Sequence, residues 1–186
     1  MGRTLVFNKP FGVLSKFTDG DGRPTLANYV DVPGVYAAGR LDKDSEGLIV
    51  LTSDGGLQHR LSSPNYSKRK GYWVQVEGVV QSEAVDQLSR GVTIRGYKTK
   101  PAQVREIVQP PILWPRNPPI RERKAIPTSW LEIYISEGKN RQVRRMTASV
   151  GLPTLRLIRF SVDSLSLDGL DVGEWRDVSP QEIAHV

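Results

Sequence analysis

Tyr36-Ala37-Ala38-Gly39-Arg40-Leu41-Asp42-Lys43-Asp44-Ser45-Glu46-Gly47-Leu48-Ile49-Val50-Leu51-Thr52 is the stretch on which the rest of the chain turns. Two β-like runs, Tyr36–Gly39 and Gly47–Thr52, are joined by a connection with three carboxylates and two cations. A loop that fixes an Asp beside an Arg keeps the carboxylate ionised and ready to act as nucleophile or base. The same Asp, Ser and Gly residues also suit an ordinary turn, and composition alone leaves both readings standing.

Working outward, short β-like runs dominate. Leu5–Asn8 and Val13–Phe17 precede the stretch; Tyr72–Glu77, Gln103–Val108, Ser129–Ile135 and Thr154–Phe160 follow it, punctuated by Gly, Asp and Pro. Helices are few and short. Thr25–Val30 is one candidate. A second carries Leu57 and Leu61 on one face after an Asp54 cap. A third runs from a Ser82 cap to Arg90 and stops at Gly91. A fourth runs from an Asn140 cap to Val150 and stops at Gly151 and Pro153. Ser179-Pro180-Gln181-Glu182 reads as a capping box. The connections are too short for many parallel crossovers, so the expected class is α+β with a mostly antiparallel, mixed β-sheet and a few short helices. At 186 residues the chain suits one domain. Two lobes around a central cleft are expected, about 1–62 and 63–186, parted near the polar, basic stretch Ser62–Lys70.

Charge is unevenly spread. Residues 1–62 carry seven basic and seven acidic residues; residues 63–160 carry eighteen and seven; residues 161–186 carry one and six. A middle segment at +11 suggests a polyanion partner, although a solvated basic surface gives the same count. Two parts of that segment stand out. Lys68-Arg69-Lys70-Gly71-Tyr72-Trp73-Val74-Gln75-Val76 puts cations before aromatics, which can hold phosphates and stack a base, or simply half-bury Tyr and Trp on a strand. Glu137-Gly138-Lys139-Asn140-Arg141-Gln142-Val143-Arg144-Arg145-Met146 sets three arginines at a helix start, a place that favours phosphate. Residues 139–159 hold six cations and no acid, unlike a face that is merely solvated. Residues 110–127 form a long irregular stretch with six prolines and four Lys/Arg against one Glu. Its prolines predict a stiff loop, pinned by Ile112, Leu113, Trp114 and Ile120, with Arg116, Arg121, Arg123 and Lys124 facing a phosphate backbone.

Other classes fall away. There is no cysteine, and the two histidines, His59 and His185, cannot build a His-rich metal site, so no metal is expected. No run of about 18 apolar residues exists, so no membrane partner is expected. The opening Leu5-Val6-Phe7 is too short for a signal sequence. A cytoplasmic location and a monomer are the expectations.

The motifs now combine. Ala37-Ala38-Gly39-Arg40-Leu41-Asp42 with Ser45-Glu46-Gly47-Leu48, then Tyr72–Gly78, then Glu137–Met146, preceded by Phe7-Asn8-Lys9-Pro10-Phe11-Gly12-Val13-Leu14, resemble in that order the motifs of the RsuA/RluB/RluE/RluF family of pseudouridine synthases. The likeness runs from about Leu5 to Phe160, and Trp114–Trp130 most resembles the RluE branch. It implies the pseudouridine synthase catalytic fold, and isomerisation of a uridine in large-subunit (23S) ribosomal RNA. Asp42 then matches the catalytic Asp, Tyr72 the active-site Tyr, and Arg144 the basic residue paired with that Asp. Val143 matches its apolar neighbour, and Arg40 an Arg that helps displace the base. Lys70, Arg141 and Arg145 become RNA contacts with the four cations of 110–127. Asn140-Arg141-Gln142 departs from the family, where many relatives have His before the Gln. Many relatives also carry an N-terminal RNA-binding module; none is expected here. Two rivals remain. A non-catalytic RNA-binding ribosome-assembly factor would share the +11 segment but leaves Asp42 unexplained. A glycosidase using Asp42 with Asp44 or Glu46 would need carboxylates on opposite sides of a bond, and these are too tightly clustered.

Overall fold

A computed structural model describes residues 2–186. The strands in the first half are β1 (Thr4–Lys9), β2 (Tyr36–Ala37), β3 (Glu46–Thr52), β4 (Lys70–Glu77), β5 (Thr93–Ile94) and β6 (Tyr97–Lys98). They continue as β7 (Gln103–Ile107), β8 (Thr128–Ile135), β9 (Thr154–Val162), β10 (Leu165–Ser166) and β11 (Trp175–Asp177). The helices are α1 (Gly55–Ser62), α2 (Ser82–Arg90), α3 (Gln142–Ser149) and α4 (Pro180–Ala184). The fold is α+β, with mostly antiparallel strand pairing and short helices, as expected.

The chain forms two compact units: residues up to Lys68 together with Arg159–Val186, and Arg69–Ile158. The expected lobe of 63–186 does not match this division, because the last residues return to the first unit. There β1 lies between β3 and β11, antiparallel to both. Val178 N–H donates to the Thr4 carbonyl at 2.9 Å, and Leu165, Leu167, Leu170 and Val178 are buried. Lys68 meets Asp163 at 2.8 Å, tying the end of the outward pass to the return. The acidic tail is therefore part of a core, and its apolar residues supply the reason.

In the first unit every residue of β1 and β3 is buried. Their core holds Leu5, Phe7, Leu26, Val30, Val35, Leu41, Ile49 and Leu51. Helix α1 follows β3 on an Asp54 cap, whose Oδ1 accepts from Leu57 N–H at 3.0 Å. At the end of the chain Ser179 and Glu182 form the expected capping box. Two expectations fail nearby. Val13–Phe17 is not a strand; it makes one isolated parallel bridge, Leu14 to Thr25. Thr25–Val30 shrinks to a single 3-10 turn, Leu26–Asn28, capped reciprocally by Thr25 and Asn28.

In the second unit β8 lies between β4 and β7, again antiparallel. Apolar residues of this sheet pack on Leu88 of α2 and on Val143 and Met146 of α3. Helix α2 is capped by Gln81, not Ser82, and has no side-chain cap bond. A short hairpin, β5–β6, turning at Arg95-Gly96 with positive φ at both residues, was not anticipated.

Candidate active site

The chemistry-bearing loop lies wholly in the first unit. Ala38 N–H donates to Val50 O at 2.8 Å as the chain leaves β2, and the loop re-enters the sheet at Glu46. Asp42 between them is half-buried. Its backbone is fixed on every side. Leu41 N–H donates to Ser15 Oγ at 3.1 Å, and Ser15 Oγ donates to Leu41 O at 2.6 Å. Ser45 N–H donates to Asp42 O at 3.0 Å, and Gly12 N–H donates to Lys43 O at 2.8 Å. The Leu41 side chain is buried in the unit's core.

Beneath the loop the packing is tight and charged. Gly47 has φ +103°, and a Cβ there would lie 2.2 Å from the carbonyl oxygen of Arg159, so only glycine fits. Arg159 is itself buried; its Nε donates to Leu48 O at 2.9 Å, and its Nη1 reaches Arg40 O at 3.5 Å. Lys9 is fully buried, and its ammonium donates to Pro10 O and Val13 O, both at 2.9 Å. Burial pulls the Lys9 pKa down to about 8, against the opposing pull of Glu46, Asp44 and Asp42. The loop thus rests on two buried cations.

The remaining candidates belong to the second unit. Tyr72 is buried on β4 opposite Ile133, and Val143 joins it in the same core. Lys70 opens β4, half-buried, opposite Ile135. Helix α3 does not start at an Asn140 cap. Arg141 precedes it in the left-handed region, φ 51°, exposed and without a side-chain cap bond. What sets this entry is Gln142, which accepts from Lys139 N–H at 3.1 Å and donates to Glu137 at 2.8 Å. Glu137 also accepts from Tyr97 Oη and, at 2.9 Å, from Lys100 N–H. Burial pushes the Glu137 carboxyl up, but these donors outweigh it and hold the pKa below the ordinary value. Arg144 and Arg145 on α3 are half-buried, and Arg145 donates to Asn140 Oδ1 at 2.7 Å.

The loop of residues 110–127 is held differently than expected. Of the four expected apolar anchors, Trp114 and Ile120 are half-buried, while Ile112 and Leu113 are exposed, at 38% and 42%. Arg116 is a further anchor: its guanidinium donates to Pro118 O, Pro119 O and Leu155 O at 2.8, 3.2 and 3.1 Å. Buried Arg156 adds a bond to Trp114 O at 2.9 Å. Arg116 therefore braces the loop from within, because its donors are consumed by carbonyls. Arg121 and Lys124 are exposed, and Arg123 approaches Glu77 at 3.7 Å. Arg156 and Arg159 are likewise structural, so only part of the acid-free run 139–159 is presented to solvent.

The sequence reading missed Ser15, Lys9, Arg159 and the Glu137–Tyr97 pair. Lys9 left one signal, a lysine inside an apolar strand, within a motif already singled out. Among the described residues no three His, Cys, Asp or Glu side chains group to hold a metal ion, and no helix is long and apolar enough to cross a membrane.

Known proteins resemble this chain along nearly its whole length. The profile of the RNA pseudouridylate synthase family matches residues 3–149. The ribosomal large subunit pseudouridine synthase E of Vibrio vulnificus is 56% identical over 177 residues, 95% of this chain and 75% of that one. The protein of the same name from Xanthomonas campestris pv. campestris is 54% identical, over 92% of this chain and 93% of its own. A solved structure described as a pseudouridylate synthase superposes with a TM-score of 0.82 at 31% identity, covering 100% of this chain and 74% of that one. With its motifs, its α+β fold and these likenesses in agreement, the chain belongs to the RNA pseudouridylate synthase family.

Proposed function

We propose that this RNA pseudouridine synthase acts on a uridine of large-subunit ribosomal RNA, with Asp42 as its catalytic carboxylate. The observation that carries the substrate is the 56% identity, over 95% of the chain, to a relative named for the large ribosomal subunit. The reaction breaks the N1–C1′ bond, turns the uracil and forms a C5–C1′ bond. C5 loses a proton and N1 gains one, so atoms balance and no electrons are exchanged. A stacked uridine hides both carbons, so it must first leave its stack, at a cost of about a few kcal/mol.

Cleavage of the glycosidic bond builds positive charge on the sugar. An ionised Asp42 stabilises that charge, either by attacking C1′ or by taking the 2′ proton. The bracing of its backbone supports this role, since a carboxylate acts on a reacting atom only if its position is held. Tyr72 offers a ring for the extruded base, Arg144 supplies the positive charge that relatives set against the catalytic carboxylate, and Val143 is its apolar neighbour on α3. Arg40 takes part in displacing the base. Lys70, Arg141 and Arg145 hold phosphates, as do the exposed cations Arg121, Arg123 and Lys124, which choose the RNA. The working unit is a single chain in the cytoplasm, needing no metal or cofactor.

The test is incubation with unmodified 23S and 16S ribosomal RNA, followed by chemical mapping of pseudouridine. A single new site in the 23S RNA, formed unchanged in the presence of a chelator, is the expected result. Modification confined to the 16S RNA would overturn the substrate, and binding without any modification would favour the assembly-factor reading.

A further inference from the structure

We infer that Ser15 is a positioning residue for Asp42. The inference rests on Asp42 being the catalytic carboxylate. Ser15 stands 26 positions before Leu41, yet its single hydroxyl serves both backbone groups of that residue, accepting from the N–H at 3.1 Å and donating to the C=O at 2.6 Å. This is the exchange that a neighbouring strand would supply, made here by a side chain where no strand runs. Leu41 is thereby pinned at its backbone by Ser15 and at its side chain by the core. The residue after Asp42 is pinned as well, through Gly12 N–H to Lys43 O at 2.8 Å.

The two braces share one source. Gly12 and Ser15 both belong to the turn that follows β1, and buried Lys9 sets that turn by donating to Pro10 O and Val13 O. The turn grips the catalytic loop immediately before and immediately after Asp42. The Gly12 brace is backbone and cannot be edited singly. The Ser15 brace is one oxygen atom, and it holds the Asp42 backbone on its N-terminal side. The segment 13–17 is itself anchored to 24–26, through Leu14 N–H to Pro24 O and Leu26 N–H to Lys16 O, both at 2.9 Å.

Losing that oxygen leaves two part-buried groups of Leu41 to find other partners, and the loop shifts to let them. Misplacement of a catalytic group by about 1 Å costs about a hundredfold in rate. The experiment compares Ser15→Ala, Ser15→Thr and Asp42→Asn in the full chain. It measures single-turnover rate at saturating RNA, RNA affinity and thermal unfolding. The expected pattern is a ten- to hundredfold slower Ser15→Ala with unchanged affinity and only a small fall in unfolding temperature that leaves it fully folded under assay, and recovery of most of the rate in Ser15→Thr, which keeps the hydroxyl. A Ser15→Ala enzyme as fast as the parent, alongside an inactive Asp42→Asn, would remove Ser15 from positioning and leave Asp42 in place. A loss that tracks the folded fraction, with rate and affinity falling together, would reduce Ser15 to general stability and overturn the inference. Turnover by a folded Asp42→Asn would overturn the reading beneath it.

Discussion

Residues 38–45 and residues 110–127 are both irregular, both carry Arg and Lys, and both are set between strands, but they are held in opposite ways. In the first, hydrogen bonds fix the backbone of Leu41, Asp42, Lys43 and Ser45, and Lys9 and Arg159 lie buried below. In the second, Arg116 and Arg156 brace one side through carbonyl contacts, while Ile112, Leu113, Arg121 and Lys124 face solvent. On the proposed function, the loop that places one carboxylate is the one braced atom by atom. A loop that presents a surface needs only a stiff course, and prolines supply most of that. Irregularity in a sequence therefore says little about rigidity; the count of long-range backbone partners says more.

The hardest test of this contrast is Asp42→Asn, which should lower turnover at least about a thousandfold while leaving unfolding and RNA affinity near the parent values. Asp44→Asn, two residues on, should be mild in the same assay. Equal losses from both would mean that the loop, not one carboxylate, carries the effect.

Next in size is Gly47→Ala. The added Cβ would collide with the Arg159 carbonyl at 2.2 Å, at a backbone angle that L residues rarely adopt. Urea unfolding should show a loss of more than about 2 kcal/mol. A comparable Ala substitution at Asn117 in the other loop should fall within about 0.5 kcal/mol. Equal effects would dissolve the distinction between the strand entry that supports the first loop and the outer loop.

A third test uses pH. Lys9 carries a folded pKa of about 8, below the ordinary lysine value of 10.5. Between these values the unfolded chain binds more protons than the folded one, so stability from this site rises with pH. Relative to Lys9→Met, the protein should gain most of about 3 kcal/mol between pH 7 and pH 10.5, measured by denaturant unfolding at each pH. A difference that stays flat would show that Lys9 is not buried as a cation beneath the loop.

The smallest effects belong to the outer loop. Replacing Arg121, Arg123 and Lys124 by Ala should weaken ribosomal RNA binding roughly tenfold and flatten its salt dependence by up to about 0.7 per cation, with the rate at saturation intact. Arg116→Ala should instead speed hydrogen exchange across 110–127, because the internal brace is lost. Matching results from the two changes would erase the division between bracing and presenting cations.

Much of this was legible in the residue order. Alternating and apolar runs marked β1, β3, β4, β8 and β9, and local caps at Asp54 and Ser179 marked α1 and α4, because these signals act over a few residues. The motif around Asp42 identified the loop, and motif likeness identified the family. What sits beneath the loop was not legible. Ser15 meets Leu41 across 26 positions and Arg159 meets Leu48 across 111, and nothing in the spacing announces either contact. The same distance hid the return of Arg159–Val186 to the first unit, the use of Arg116, expected to face a phosphate backbone, as an internal donor, and the burial of Arg156 and Arg159 out of the acid-free run. Sequence order carries propensity and periodicity, which are local. Only the folded chain decides which buried carbonyl a guanidinium or hydroxyl must satisfy, because an unpaired polar group in the interior is too costly to leave.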